Sequence, residues 1–181
     1  MDKKLFAVYL GGRAERCNIE LHDVVFVIGE SLKSTYEHLR KKWFGSLKNL
    51  HIDAYIHLQH VDGYEIHLSK DRMLQEDSAK KLYFINLGAY KGTDFMEYHQ
   101  NVFYVSSSSA EAIKRAKSEL CAGMDQVHKD DAILIKKASH SIDYDVDDIF
   151  ELAQVDEYYI SLKMCPDISN SIPVPKYIKL S

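Results

Sequence analysis

The feature that most limits what this chain can fold into is that it matches itself. Slid by 77 positions, Leu5, Leu10 and Gly11 fall on Leu82, Leu87 and Gly88. Glu20 and His22 fall on Glu97 and His99, and Val25, Phe26 and Ser31 on Val102, Phe103 and Ser108. That makes eight ungapped identities within residues 5–44, where chance gives about two or three. The register then changes to 94. Asp53 and Leu58 meet Asp147 and Leu152, and Val61, Asp62, Tyr64, Ile66 and Leu68 meet Val155, Asp156, Tyr158, Ile160 and Leu162. An alignment held at 77, pairing His51 with His128 and Asp53 with Asp130, matches fewer residues. The change of offset places an insertion of 17 residues in the second copy, between Cys121 and Asp147. The expected fold is α+β, a tandem duplication of one β-β-α-β-β unit related by a pseudo-two-fold axis. Copy one covers 1–68, a connection 69–81, copy two 82–162 with its insertion around 122–146, and a proline-containing tail 163–181 packs on the body.

The local patterns supply the unit. Leu5 to Leu10 is a short apolar run before Gly11-Gly12, read as a buried strand and a turn. Val24 to Ile28 and Val102 to Val105 are β-branched and aromatic, as second strands are. Ser31 and Ser108 are N-cap candidates, and Glu111 completes a capping box that copy one, with Ser34, lacks. Leu32, Tyr36, Leu39 and Trp43 share one helical face, as do Ile113, Ala116 and Leu120. Gly45 and Gly123 suit helix ends. From Ile52 to Leu58 apolar residues alternate with polar ones, and Asp62-Gly63 then turns into Tyr64, Ile66 and Leu68, which reads as a hairpin. The insertion holds Ala132 to Ile135, a candidate edge strand. The tail carries all three prolines, Pro166, Pro173 and Pro175, and reads as extended with few sheet hydrogen bonds.

Composition narrows the function classes. A net charge of −4 argues against nucleic acid, which calls for a basic excess. Three cysteines, Cys17, Cys121 and Cys165, without a C-x-x-C pair, fit a reducing compartment and a cytoplasmic protein. No segment approaches the roughly 20 apolar residues of a membrane span, and the short run after Met1 does not read as a signal peptide.

The stretches L-x-x-x-Y-L-G-G at 5–12, N-I-E-L-H-D-V-V-F-V-I-G at 18–29 and H-V-D-G-Y at 60–64 resemble the bacterial domain-of-unknown-function family numbered 1543. The resemblance covers nearly the whole chain and implies one or two copies per protein, with no activity attached. Copy two departs from it at Ala89, Gln100 and Glu157, which stand in place of Gly12, Asp23 and Gly63.

The candidate site residues are the polar ones present twice. Glu20 and His22, like Glu97 and His99, are spaced i, i+2, which puts both side chains on one side of an extended segment. A carboxylate can hold an imidazole in one tautomer, or both can ligate a metal. Joined at the axis, the two pairs would make one symmetric cluster of Glu20, His22, Glu97 and His99. The plainer reading is that each pair ties a loop to the next strand. Gly11 and Gly12 can cradle an anion or simply turn the chain. Asp53 and Asp147 read as structural residues beginning the hairpin strand, and Asp62 and Asp156 as turn chemistry. His51, His57, His60 and His67 crowd copy one only, with His57 and His67 on the solvent side. Trp43 and Phe44 read as core. Cys17 lacks a basic partner or helix N-terminus to activate it, and no Ser-His-Asp or Cys-His spacing is present.

The favoured expectation is therefore a non-enzymatic binding module that uses the groove between its copies for a small ligand or protein partner, with no cofactor assigned. The alternatives are a metal-assisted hydrolase on Glu20, His22, Glu97 and His99, and a structural domain that forms a homodimer.

Overall fold

The computed structural model describes residues 2–72, 79–91, 94–120 and 142–180. Over those residues it is α+β, with mostly antiparallel strands and two short helices. Contacts divide the chain into two units, Met1–Ser78 with Ala153–Ser181, and Ala79–Leu152. The insertion, Gly123 and Ala132 to Ile135 lie outside the described residues.

The first unit holds a four-stranded sheet in the order β11-β3-β1-β2, from β1 (Lys4–Arg13), β2 (Leu21–Gly29), β3 (Ser46–His57) and β11 (Val174–Lys179). Phe6, Val8 and Leu10 alternate to one face of β1, as a strand period of two requires. They form a core with Val25, Val27, Leu50, Ile52 and Leu180, capped by Leu39 and Trp43 of the helical layer. That layer starts with a 3-10 turn at Lys33–Thr35 and continues as α1 (Tyr36–Lys42). Ser34 does what Glu111 does elsewhere. Its hydroxyl accepts the Ser31 N–H at 3.1 Å while Ser31 Oγ accepts the Ser34 N–H at 3.3 Å.

Gly11 and Gly12 do not turn the chain. They lie inside β1, opposite His22 and Leu21 of β2. Their role is close approach. A Cβ on Gly12 would stand 2.9 Å from the Trp43 ring, while one on Gly11 would stand 2.5 Å from His51 Nε2. Each glycine makes room on one face of the sheet, the helix-covered face for Gly12 and the opposite face for Gly11.

The hairpin expected around Asp62-Gly63 is also built differently. β3 pairs with β1 and β11, never with β5 (Tyr64–Ser69). Instead β5 pairs with β10 (Tyr158–Met164) in a second sheet, ordered β4-β5-β10-β9, with β4 (His60–Val61) and β9 (Gln154–Val155) as short flanks. Asp62 and Gly63 have φ of 52° and 73°, the doubly positive pattern of a tight type I′ hairpin turn. The tail is held closely. Ser171 Oγ accepts from the backbone of Gln59 and His60 at 2.9 and 3.0 Å, and β11 is a true edge strand in which Pro175 pairs with Ala54. An edge tolerates proline because one side of the strand needs no donor.

Among the described residues, the second unit holds a three-stranded sheet, β7-β6-β8, from β6 (Lys81–Lys91), β7 (Glu97–Ser106) and β8 (Ile142–Glu151). α2 (Ser109–Leu120) lays Ala112 and Ala116 on Tyr83, Ile85, Leu87 and Tyr104. Glu111 closes its N-terminus, accepting from Ser107 Oγ, from the Ser107 N–H at 2.9 Å and from Ser106 Oγ at 2.8 Å. These bonds hold its carboxyl well below the usual range, at about 2.

Candidate metal centre on the open face of the first sheet

Register explains why polar groups converge on Gly11. Residues directly opposite in neighbouring strands point to the same face. Gly11 of β1 lies opposite His22 on one side and His51 on the other. Between them no Cβ intervenes. A bulge then adds a third polar group. Tyr9 pairs with Ala54 and Leu10 with Ile52, so Asp53 is the extra residue of β3. β11 is irregular at the same place, between Pro175 and Ile178. Asp53 Oδ2 would lie 2.6 Å from a Cβ on Gly11. Glu20, two residues before His22, reaches over from the start of β2.

The distances are consistent with a coordination shell. His51 Nε2 lies 3.2 Å from Glu20 Oε1 and 3.3 Å from Asp53 Oδ1. His22 Nε2 lies 3.4 Å from Asp53 Oδ2 and 3.7 Å from Glu20 Oε1. Charge-assisted hydrogen bonds are shorter, at roughly 2.7–2.9 Å. Ligand atoms at the corners of a tetrahedron around zinc, with bonds of about 2.0–2.1 Å, are about 3.3 Å apart. Glu20, His51 and Asp53 together can offer ligand atoms to one ion.

Two further details fit that reading. His51 is buried, and its Nδ1 lies 2.8 Å from the carbonyl of Asn49. A carbonyl only accepts, so Nδ1 carries the hydrogen and in the neutral ring Nε2 presents its lone pair to the cluster. This is the usual support of a ligating histidine. Asn49 has φ of 65°, a left-handed conformation that asparagine tolerates better than most. Asp53 Oδ2, by contrast, is buried with no hydrogen-bond partner among the described residues; the contact with His22 lacks bonding geometry. A buried carboxylate oxygen without a donor is costly unless a cation faces it. Aromatic rings flank the imidazoles. Tyr9 stacks on His22, with centroids 5.1 Å apart and planes 6° apart, and Tyr177 of β11 lies against His51 at 4.6 Å. Burial, and then the charge of Asp53, raises the Tyr9 hydroxyl above its ordinary pKa.

The second unit carries a partial counterpart. Gly88 of β6 lies opposite His99, and Asp147 is the extra residue of a bulge between Asn86 and Leu87. Glu97, His99 and Asp147 approach one another, but the imidazole is divided. Its Nδ1 lies 3.3 Å from Asp147 Oδ2 and 3.3 Å from Asn86 Oδ1, while Nε2 faces Glu97 at 3.7 Å. One ring brings only one nitrogen to an ion, and each residue of the set offers one ligand atom. Opposite Gly88 stands Asp145, where the first unit has His51.

Both sequence-derived Glu-His pairs thus sit in polar clusters, each completed within its own sheet. His51, Asp53 and Asp147 are the members that sequence reasoning missed. Gly11 is the floor of the first cluster, and Gly12 faces away from it.

The model of the domain of unknown function DUF1543 matches residues 17–68 and 94–146, two regions consistent with two tandem copies. The chain belongs to the DUF1543 family. It is also similar to a solved structure, the crystal structure of a protein Il1583 from Idiomarina loihiensis. The two are 34% identical over 99% of each chain, with a TM-score of 0.71. No curated protein matches the chain. The DUF1543 assignment fixes the family and leaves the chemistry to the site. Among the described residues, no helix is long and apolar enough to cross a membrane.

Proposed function

We propose that this DUF1543 protein binds a divalent metal ion of the zinc class on the open face of its first sheet, through His51, Asp53 and Glu20, with His22 beside them. The observation that carries the reading is the junction of His51 and Asp53. One imidazole is committed by the Asn49 carbonyl to presenting Nε2, and one buried carboxylate oxygen beside it lacks a donor among the described residues. An ion there would satisfy both at once. Two carboxylates also balance a 2+ charge, and the ligand atoms of Glu20, His51 and Asp53 all lie within 4.8 Å of one another.

The bulges at Asp53 and Asp147, the positions that the second offset matches, support a tandem duplication of one β-β-α-β-β unit. The pairing of His67 with Ser161, which the same offset relates, supports a local two-fold axis between β5 and β10. In this reading the first copy holds the ion and the second retains a hydrogen-bonded relic. Free Cys17 and Cys165 support a reducing, cytoplasmic setting.

Zinc titration of metal-free protein by calorimetry tests the proposal. One tight equivalent is expected, lost in His51→Ala and Asp53→Ala. No binding heat, or unchanged binding in both variants, would overturn it. A second reading, metal-assisted hydrolysis, is favoured by the half-exposed Glu20 and His22, which leave a coordination position open to solvent as catalytic zinc sites do. Zinc-dependent turnover of simple esters, absent in His51→Ala, would support that second reading.

A further inference from the structure

The far end of the same strands carries a separate feature. A cavity of about 690 Å³ opens in the first unit, with Lys4, His57, Gln59, Glu65, His67 and Tyr158 in its wall. Small-molecule sites span roughly 300–1,000 Å³. Its charges do not balance at one point. Glu65 is engaged by His67 at 3.0 Å, and Lys3 by Glu30 at 3.5 Å. Asp2 stands on the N-terminal rim. Lys4 makes no ion pair among the described residues, although it lines the cavity.

The second unit shows what this position accommodates. Lys81 and Glu151 match Lys4 and His57 at the offsets of 77 and 94. The rungs agree as well, since His57 lies opposite Phe6 and Glu151 opposite Tyr83. There the lysine Nζ meets the glutamate Oε2 at 2.9 Å. In the first unit the acid is replaced by an imidazole. Burial, and then the nearby Lys4 and His60, push His57 below its ordinary pKa, toward the neutral ring. The cation is kept, an imidazole stands where its carboxylate would be, and both line the cavity.

We propose that this cavity binds a small organic carboxylate, whose anionic group lies beside Lys4 as Glu151 lies beside Lys81. His57 and the Gln59 amide are the neutral polar groups around it. The inference goes beyond metal binding and does not depend on it. It rests on the duplication, which supplies the matched pair.

The test is calorimetric titration of metal-free protein with acetate and succinate, and with uncharged succinamide as control. The expected result is saturable binding of at least one carboxylate in the millimolar range or tighter, and none of succinamide. Lys4→Met should weaken it about tenfold or more, the usual effect of deleting a charge-assisted contact. His57→Glu should abolish binding while leaving the circular dichroism spectrum unchanged, because it installs the ion pair already present in the second unit. Absence of saturable carboxylate binding, an equal response to succinamide, or wild-type affinity in folded Lys4→Met and His57→Glu would overturn the proposal. The zinc titration reads a different set of residues, so either idea can fail alone.

Discussion

Gly11→Ala is the sharpest perturbation of the candidate metal centre, because it adds one methyl group and removes no ligand. The new Cβ would stand 2.5 Å from His51 Nε2, 2.6 Å from Asp53 Oδ2 and 3.0 Å from His51 Cε1. Ordinary contact begins near 3.4 Å. The two ligand atoms must therefore retreat by about 0.8–0.9 Å, where metal–ligand distances tolerate about 0.2 Å. Zinc affinity should fall about 100-fold or more, at least as much as loss of a supporting group costs. The metal-free fold should lose about 1–3 kcal/mol through overpacking. Gly12→Ala is the matched control, because its Cβ meets Trp43 at 2.9 Å on the other face. It should destabilise similarly and leave zinc affinity intact. In thermal melts, zinc at about 100 times its dissociation constant stabilises the wild type by about 2.7 kcal/mol, a rise of roughly 5–10 °C. That rise should persist in Gly12→Ala and vanish in Gly11→Ala. A Gly11→Ala protein that binds zinc as the wild type does would refute the reasoning.

Three further outcomes are expected. Leu180→Ala, at a side chain only 1% exposed, should cost about 2–5 kcal/mol in urea unfolding of the first unit; a cost below about 1 kcal/mol would show that β11 is not part of that core. Glu111 should titrate with a midpoint near 2 in carboxyl carbon NMR. Its folded pKa is depressed, so its support of α2 is complete above the ordinary value of 4.5 and fades as pH falls from there toward 2; a midpoint near 4.5 would contradict the bonds from Ser106 and Ser107. Asn49→Gly should preserve the left-handed turn and the carbonyl beneath His51, and so retain zinc binding; Asn49→Val, which resists that conformation, should weaken it in the same titration.

How far the sequence carried can be read from particular residues. The strands, the helices and the Glu-His spacing were legible because they rest on local periodicity and on self-matching. The helical face of Leu32, Tyr36, Leu39 and Trp43 is the face that packs on the sheet. Asp53 and Asp147 were visible as identities at the second offset, but their role was not. A bulge is a property of two strands in register, and nothing in the I-D-A stretch of β3 announces that Asp53 is the extra residue. The partner of β5 was illegible for a related reason. Alternation shows that Tyr64, Ile66 and Leu68 share one side of a strand; it does not show whether that strand pairs with β3 or with β10, a choice made by packing far along the chain. Gly11-Gly12 misled because a double glycine after an apolar run looks like a turn. Here each glycine instead admits a large or charged side chain to an opposite face of β1.

Zinc-soaked crystals measured on both sides of the zinc absorption edge would address the metal proposal most directly. The expected result is an anomalous peak about 2 Å from His51 Nε2 and from carboxylate oxygens of Asp53 and Glu20. A map with no peak above Gly11, from crystals in which His51 still faces Asp53, would contradict it.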